Sequence, residues 1–257
     1  MTPFPGPRVI RLLPLVLVAG TTVWADVIIK MKVEADVIAD PERGPQSEPC
    51  RVSIPSARTG DILILTLGAD RVRLDRPAMS IILRLDQQRL SFVFPGEKKY
   101  ASLKYPIAYQ KYQSAMWLGL DPGLVEFRLE TLTGPEKTSA LGRAAVKYSA
   151  TMANDLRTRW RATFVLTTDF PGDPGPVLAL RNAIHNLQFG GSGWRGLLPL
   201  AGGLPLIWEE ALRQPETEFK YREETVEIEQ REVSSGTYDV PEGFVKIEYD
   251  PACIQAR

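Results

Sequence analysis

Between Asp61 and Lys104 the chain repeats one short pattern, and that repeat limits the fold more than any other feature. Strand-like runs begin near Asp61, Asp70, Met79 and Gln88, nine residues apart, with turn chemistry between them: "GAD" at 68–70, "RP" at 76–77, "DQQ" at 86–88 and "PGEKK" at 95–99. Short strands at intervals of about 8–12 residues with turn residues between them predict an antiparallel meander. Inside it, "GADRVRLDRP" (68–77) sets three arginines and two aspartates around Val72 and Leu74. Alternate side chains of a strand take opposite faces, so Val72 and Leu74 face a core while Arg71, Arg73 and Asp75 face away. "SIILRLD" and "RLSFVFP" repeat the scheme, with Arg84 and Ser91 among the polar positions. The expectation is a solvated outer face whose Arg–Asp pairs contribute roughly a few tenths of a kcal/mol each. A charged catalytic strand is the alternative.

The same reading extends along the chain. "DVIIKMKVEADVI" alternates as a half-buried strand, and residues 40–59 read as a loop rich in Pro, Ser, Gly and charge that carries Cys50. Residues 105–120 place Tyr105, Tyr109, Tyr112, Met116 and Leu120 at spacings of three and four, a helical stripe. It reads as a core-facing helix or as an aromatic lid over an apolar cavity. "VEFRLETLTG" (125–134) returns to alternation, and residues 140–169 read as two strands around a polar hinge near Asn154 and Asp155. After "FPGDPGP" a helix is expected over 177–188, followed by a glycine-rich apolar loop, "FGGSGWRGLLPLAGGLPL". "WEEALR" reads as a helical turn, with Glu209 four residues before Arg213. In "TEFKYREETVEIEQREV" the alternation puts Phe219, Tyr221, Thr225, Glu227 and Glu229 on a strand whose apolar side is marked by Val226 and Ile228. "SSG" and "VPEGF" are turns, and "FVKIEYD" is a last short strand.

The first twenty-five residues read as a signal peptide. Arg8 and Arg11 precede an apolar run, "LLPLVLVAG", and Val23 and Ala25 are the small residues of a cleavage site before Asp26. The run is too short to span a bilayer, and no later stretch reaches the roughly twenty apolar residues of a membrane helix. The expectation is an exported, soluble, periplasmic or extracellular chain of residues 26–257, folded as a single domain. Loss of Arg8 and Arg11 from 31 basic residues leaves it two short of its 31 acidic ones. A near-neutral chain lacks the broad basic surface of a nucleic-acid binder. Cys50 and Cys253 are the only cysteines, and in an oxidising compartment they are each other's available partners. A bridge would close a loop of about 200 residues, contributing on the order of 5 kcal/mol in the chain-entropy model; two buried free thiols are the alternative.

Three stretches carry a further resemblance: "GDILILTLGADRVRLD", "SIILRLDQQRLSFVFPGEKKYASL", and "GLPLIWEE" leading into "YREETVEIEQREVSSGTYDVPEGFVKI". Their run of strands ending in a Lys-Lys-Tyr turn, then a Gly-x-Pro-Leu step, a long charged strand and a Val-Pro-x-Gly-Phe finish, resembles a family of exported proteins of unknown function. That family's fold looks like the LolA/LolB-type periplasmic lipoprotein carriers. The resemblance implies an α+β fold: a strongly curved antiparallel sheet, an incomplete barrel, with helices plugging its concave side. It also implies a concave apolar surface able to take a lipid, an acyl chain or a lipoprotein. It assigns no catalytic residue.

Other motifs weigh against chemistry. "GSGWRG" (191–196) satisfies G-x-G-x-x-G but follows a predicted helix and runs into Leu-Leu-Pro, where a nucleotide site needs a strand before it and a helix after it. His185, the only histidine, lacks a G-x-S-x-G partner, and a zinc site would need more ligands than the chain supplies. No cofactor or metal is expected. The adjacent pairs Glu209–Glu210 and Glu223–Glu224 read as structural, since neighbours on a strand face opposite sides. The expected function is therefore non-enzymatic: an exported protein holding a hydrophobic ligand, with Tyr109, Tyr112, Met116, Trp117, Trp160 and Trp194 as candidate lining residues. A cell-envelope interaction module without a ligand is the alternative, and a pocket bringing His185 near a Ser or Asp would point to a hydrolase.

Overall fold

The computed structural model describes residues 25–35, 58–107, 128–153, 159–189, 203–213 and 218–249. They form one open, curved, twelve-stranded sheet in the order β12-β6-β5-β4-β3-β2-β1-β11-β10-β9-β8-β7. Strand β1 (Asp26–Ala35) lies near the middle, between β2 (Ile62–Leu67) and β11 (Glu218–Arg231). On one side follow β3 (Arg71–Asp75), β4 (Ser80–Arg84), β5 (Arg89–Phe94), β6 (Lys99–Lys104) and the two-residue β12 (Val245–Lys246). On the other side follow β10 (Leu204–Arg213), β9 (Arg159–Thr167), β8 (Arg143–Ala153) and β7 (Arg128–Ala140). All neighbours are antiparallel except β12, which runs parallel to β6, so the sheet is mixed at that margin.

The meander forms as its spacing predicts. Turns close at 68–70, 76–79, 85–88 and 95–98, and two of them place Gln88 and Lys98 at φ of 49° and 51°. Val72, Leu74, Ile81, Leu83, Leu90, Phe92, Ala101 and Leu103 project to one face and are buried there. Val27, Ile29, Met31 and Val33 continue that face across β1.

Among the described residues there is one α-helix, α1 (Gly175–Phe189), close to its expected span. The Asp173 carboxylate accepts from the Gly175 N–H at 2.9 Å, and the Pro174 carbonyl accepts from Leu178 at 3.0 Å, which satisfies donors of the first turn. Val177, Leu180, Ala183, Ile184 and Leu187 form its buried stripe and join the sheet's apolar face in a single core. A helix packed on one face is established; the several plugging helices of the expectation are not, because residues 105–120 fall largely outside the described residues.

Three expectations are corrected. "WEEALR" belongs to strand β10, held between β9 and β11 in continuous register, so tertiary pairing overrides its local helical character. Val226 is exposed and faces away from the core, because a bulge at Lys30/Met31 shifts the β1–β11 register; Tyr221, Glu223 and Thr225 take the inward positions before it and Ile228 after it.

The third concerns the polar face of β3–β5, which is covered rather than solvated. The segment 232–249 crosses it as a strap. Tyr238 is fully buried against Ile82 and Val93, and its hydroxyl donates to Asp26 Oδ1 at 2.7 Å. Arg71 lies 4.6 Å over the Tyr238 ring. Arg73 bonds Asp75 at 2.8 Å, Ser80 Oγ at 3.0 Å and the Thr237 carbonyl at 3.0 Å. Arg84 bridges Asp86 and Asp239, each at 2.7 Å. The strap then pairs along β6, through Val245 N–H to Lys98 O and Ile247 N–H to Tyr100 O, and turns the edge. Tyr249 ends stacked on Phe92, on the opposite face, at 5.4 Å between centroids.

Candidate functional site

The other half of the sheet carries charge on its buried face as well as on its outer one. On β10, Trp208 and Glu210 are two apart and share a face; on β11, Tyr221 and Glu223 do the same. Register sets Trp208 opposite Glu223, and Glu210 opposite Tyr221. Phe164 of β9 lies opposite Trp208 on its other side and meets it edge-on, with ring centroids 4.6 Å apart. Trp160, Ala162, Ala150 and Met152 complete an apolar cluster around these rings.

α1 lowers Arg181 onto this arrangement. Its guanidinium sits 4.9 Å over the Trp208 ring, lies 3.4 Å from Met31 Sδ and pairs with Glu223, which is only 6% exposed. The Tyr221 hydroxyl donates to the same carboxylate. The Trp208 indole N–H donates to Glu210, and the Trp160 indole adds a second such contact. Arg181 Nε is buried and has no hydrogen-bond partner among the described residues.

The two carboxyls are driven apart. Burial pushes Glu210 up to about 7; the nearby Glu223 charge adds to the rise, while the indole donors and Arg181 only partly oppose it. Burial acts on Glu223 in the same direction but is outweighed by Arg181, the Tyr221 hydroxyl and Arg76, so Glu223 lies below the ordinary carboxylate range. Burial and the Glu223 charge raise Tyr221 well above its usual value. The arrangement can thus hold a proton on Glu210 near neutrality beside an ionised Arg181–Glu223 pair, at the seam between helix and sheet.

Of the residues singled out from the sequence, Trp160 lies in this cluster. Tyr109, Tyr112, Met116, Trp117, Trp194, Cys50 and Cys253 lie outside the described residues, as do residues 1–24 and the 191–196 motif. His185 belongs to α1. Sequence reasoning noted Glu209–Glu210 and Glu223–Glu224 as neighbours along the chain; the meaningful pair is Glu210 with Glu223, across strands. The available signal was an aromatic residue two positions before each inward glutamate. Their outward neighbours do something else: Arg222 pairs with Glu209 across the sheet and with Glu224 at 2.9 Å. Arg222 and Glu209 line a shallow outer groove of about 490 Å³ with Glu34, Arg161 and Lys220, which Glu210 and Tyr221 also border. Among the described residues no three His, Cys, Asp or Glu converge as a metal site, and no helix is long and apolar enough to cross a membrane.

No family model matches the chain, and no curated protein matches it. Among solved structures it is similar to an uncharacterized conserved protein from Thermus thermophilus, at 6% identity and TM-score 0.41, covering 88% of this chain and 92% of that one. It is also similar to a Vibrio parahaemolyticus domain described as an outer membrane lipoprotein-sorting protein domain, at 8% identity and TM-score 0.30, covering 84% and 90%. Both TM-scores are below 0.5, so the functional argument rests on this chain's own geometry.

Proposed function

We propose that this is an exported, non-catalytic carrier that holds a hydrophobic ligand, a lipid, acyl chain or lipoprotein, against the helix-covered, concave face of its sheet. In this reading residues 1–25 are removed as a signal peptide and 26–257 form one half-barrel domain of LolA/LolB type. One observation carries it. The apolar face does not stop where its cover stops: Leu129 and Leu132 stand opposite the buried Met152 and Ala150, on the same face, and are 50% and 42% exposed. An apolar surface running from a tryptophan-lined core into solvent suits a ligand that is itself part buried.

The charged seam under α1 supports the same reading. A buried ion pair gives less stability than well-packed apolar side chains of similar volume, so its value to a stable, immobile helix is small. A helix that lifts to admit a ligand must expose its underside to water, and Arg181 and Glu223 tolerate that where an all-apolar seam does not. The test is native mass spectrometry of the processed protein from its own host, followed by organic extraction. Co-purifying lipid near one per chain supports the carrier; a clean apo mass that also ignores added fatty acids and phospholipids overturns it.

A second reading, an envelope interaction module without a ligand, is favoured by β7. It has no strand on its outer side among the described residues, and nearly all of its thirteen residues are exposed. Such an edge can accept a partner's strand, although Gly134 (φ 113°), Pro135 and two bulges restrict where. Isolation of a stable protein complex with no lipid in it would select this reading.

A further inference from the structure

We propose that two copies of this chain pair edge to edge through residues 128–136 of β7, antiparallel about a twofold axis at Leu132, so that one sheet continues into the other. β7 is the last strand of the sheet, and among the described residues it pairs on one side only, with β8. Twelve of its thirteen residues are exposed. Such an edge leaves to water a row of backbone N–H and C=O groups that a further strand can take up.

Few strands fit this edge. Bulges at Leu129/Thr131 and Thr133/Glu136 interrupt its ladder, and Pro135 lacks a donor. The interruptions are symmetric about Leu132, which stands opposite Ala150 of β8. Arg128 stands opposite Ala153 and Glu136 opposite Lys147, each three places from Ala150; Thr131 and Thr133 stand opposite Thr151 and Ser149, each one place from it. Each arm of β7 holds one bulge and one extra residue. A twofold axis through Leu132 therefore sets bulge against bulge, and it keeps outer side chains beside outer and inner beside inner.

Charge completes the match. Arg128 and Glu136 share the outer face and are exposed, so the axis brings Arg128 of each copy opposite Glu136 of the other. Thr131 meets Thr133 twice, and Leu132 meets its own copy, pairs of the kind that stabilise adjacent strands. Neighbouring registers lose this: an axis at Thr133 opposes Glu130 to Glu136, and one at Thr131 leaves Arg128 opposite Gly134. The contact is isologous, so it closes at two copies and leaves no β7 edge free. On the inner side Leu129 and Leu132 of both copies come together with their upper surfaces uncovered. Pairing widens the apolar margin, and it holds whether or not that margin carries a ligand.

The experiment is sedimentation velocity of the full processed chain across the micromolar range, where a dimer is expected for the wild type. Arg128→Glu and Glu136→Arg each place like charges opposite one another at both ends of the contact, and each should weaken it by about tenfold or more. Mixed in equal amounts, the two variants should associate again, because each then offers the other opposite charges at both ends. The double variant should self-pair as the wild type does. A monomeric wild type overturns the proposal, whatever other protein takes the edge; so does a dimer indifferent to both substitutions, or a mixture no tighter than its parts. Should a single variant fail to fold, hydrogen exchange of the wild type decides: protection of 128–136 that rises with protein concentration supports the pairing, and protection that ignores concentration refutes it. The readout is mass with Leu129 and Leu132 untouched, so its failure and failure of the lipid test are separate results.

Discussion

The two halves of the sheet solve opposite problems with the same alternating strands. In the β2–β6 half, apolar residues fill the inner face and the outer face is charged, yet that charge is covered. The strap from Glu232 to Tyr249 buries Tyr238 on one side of the sheet and Tyr249 on the other, and ties Arg73 and Arg84 to itself. In the β7–β11 half the ion pair is on the inner face, under α1, while the outer groove and the β7 edge are open. One half is covered on both faces over β3–β5, with only the outer side chains of β2, Ile62 and Ile64, left in solvent beside the strap. The other keeps an apolar margin in solvent and a charged seam beneath its helix. On the proposed reading the first half is scaffold, and the second is where binding and movement belong.

Removing a ring from the scaffold should do the most damage. Phe92→Ala deletes the partner of Tyr249 in the core and should lower stability by about 3–5 kcal/mol in urea unfolding, with the whole sheet lost together. Arg181→Ala should approach that loss, about 3–5 kcal/mol, because it strands the buried Glu223 carboxylate. A more discriminating variant replaces both partners: Arg181→Met with Glu223→Leu should recover most of the loss. If the pair of substitutions is as damaging as the single one, the seam is not an isolated ion pair in an apolar setting.

pH separates the halves next. Glu210, raised to about 7, contributes stability that is present in acid and lost as pH rises from about 4.5 through 7. Glu223, lowered, contributes stability that is lost as pH falls through its own range below 4.5. Unfolding free energy should therefore peak between these limits, with an alkaline decline of about 2–3 kcal/mol that Glu210→Gln abolishes. Tyr238→Phe, on the scaffold side, should lower stability by about 1–2 kcal/mol through loss of the Asp26 bond. The smallest effect belongs to the open margin. Leu129→Glu with Leu132→Glu should change stability by no more than about 0.5 kcal/mol, as both side chains are half exposed.

What could be read from the sequence was what local period and turn chemistry encode. The nine-residue meander is such a signal, and so is the α1 stripe from Val177 to Leu187. The strap was not legible as a cover, because Tyr238 meets Asp26, Ile82 and Val93 from more than a hundred residues away. "WEEALR" misleads because Glu209 and Arg213 satisfy a helical pair rule while the decisive partner, Arg222, sits on the next strand. Val226 misleads for a different reason: a single bulge inverts which residues of β11 face inward. The site itself escaped reading because Glu210 and Glu223 become neighbours only through the β10–β11 register.

The most direct test is native mass spectrometry of the processed protein titrated with a single-chain lysophospholipid, run beside the Leu129→Glu, Leu132→Glu variant. One bound lipid per chain is expected for the wild type, and binding weakened about tenfold or more in the variant at an unchanged melting temperature. Equal binding by both proteins, or none by either, would contradict the claim that the open half of the apolar face is the ligand surface.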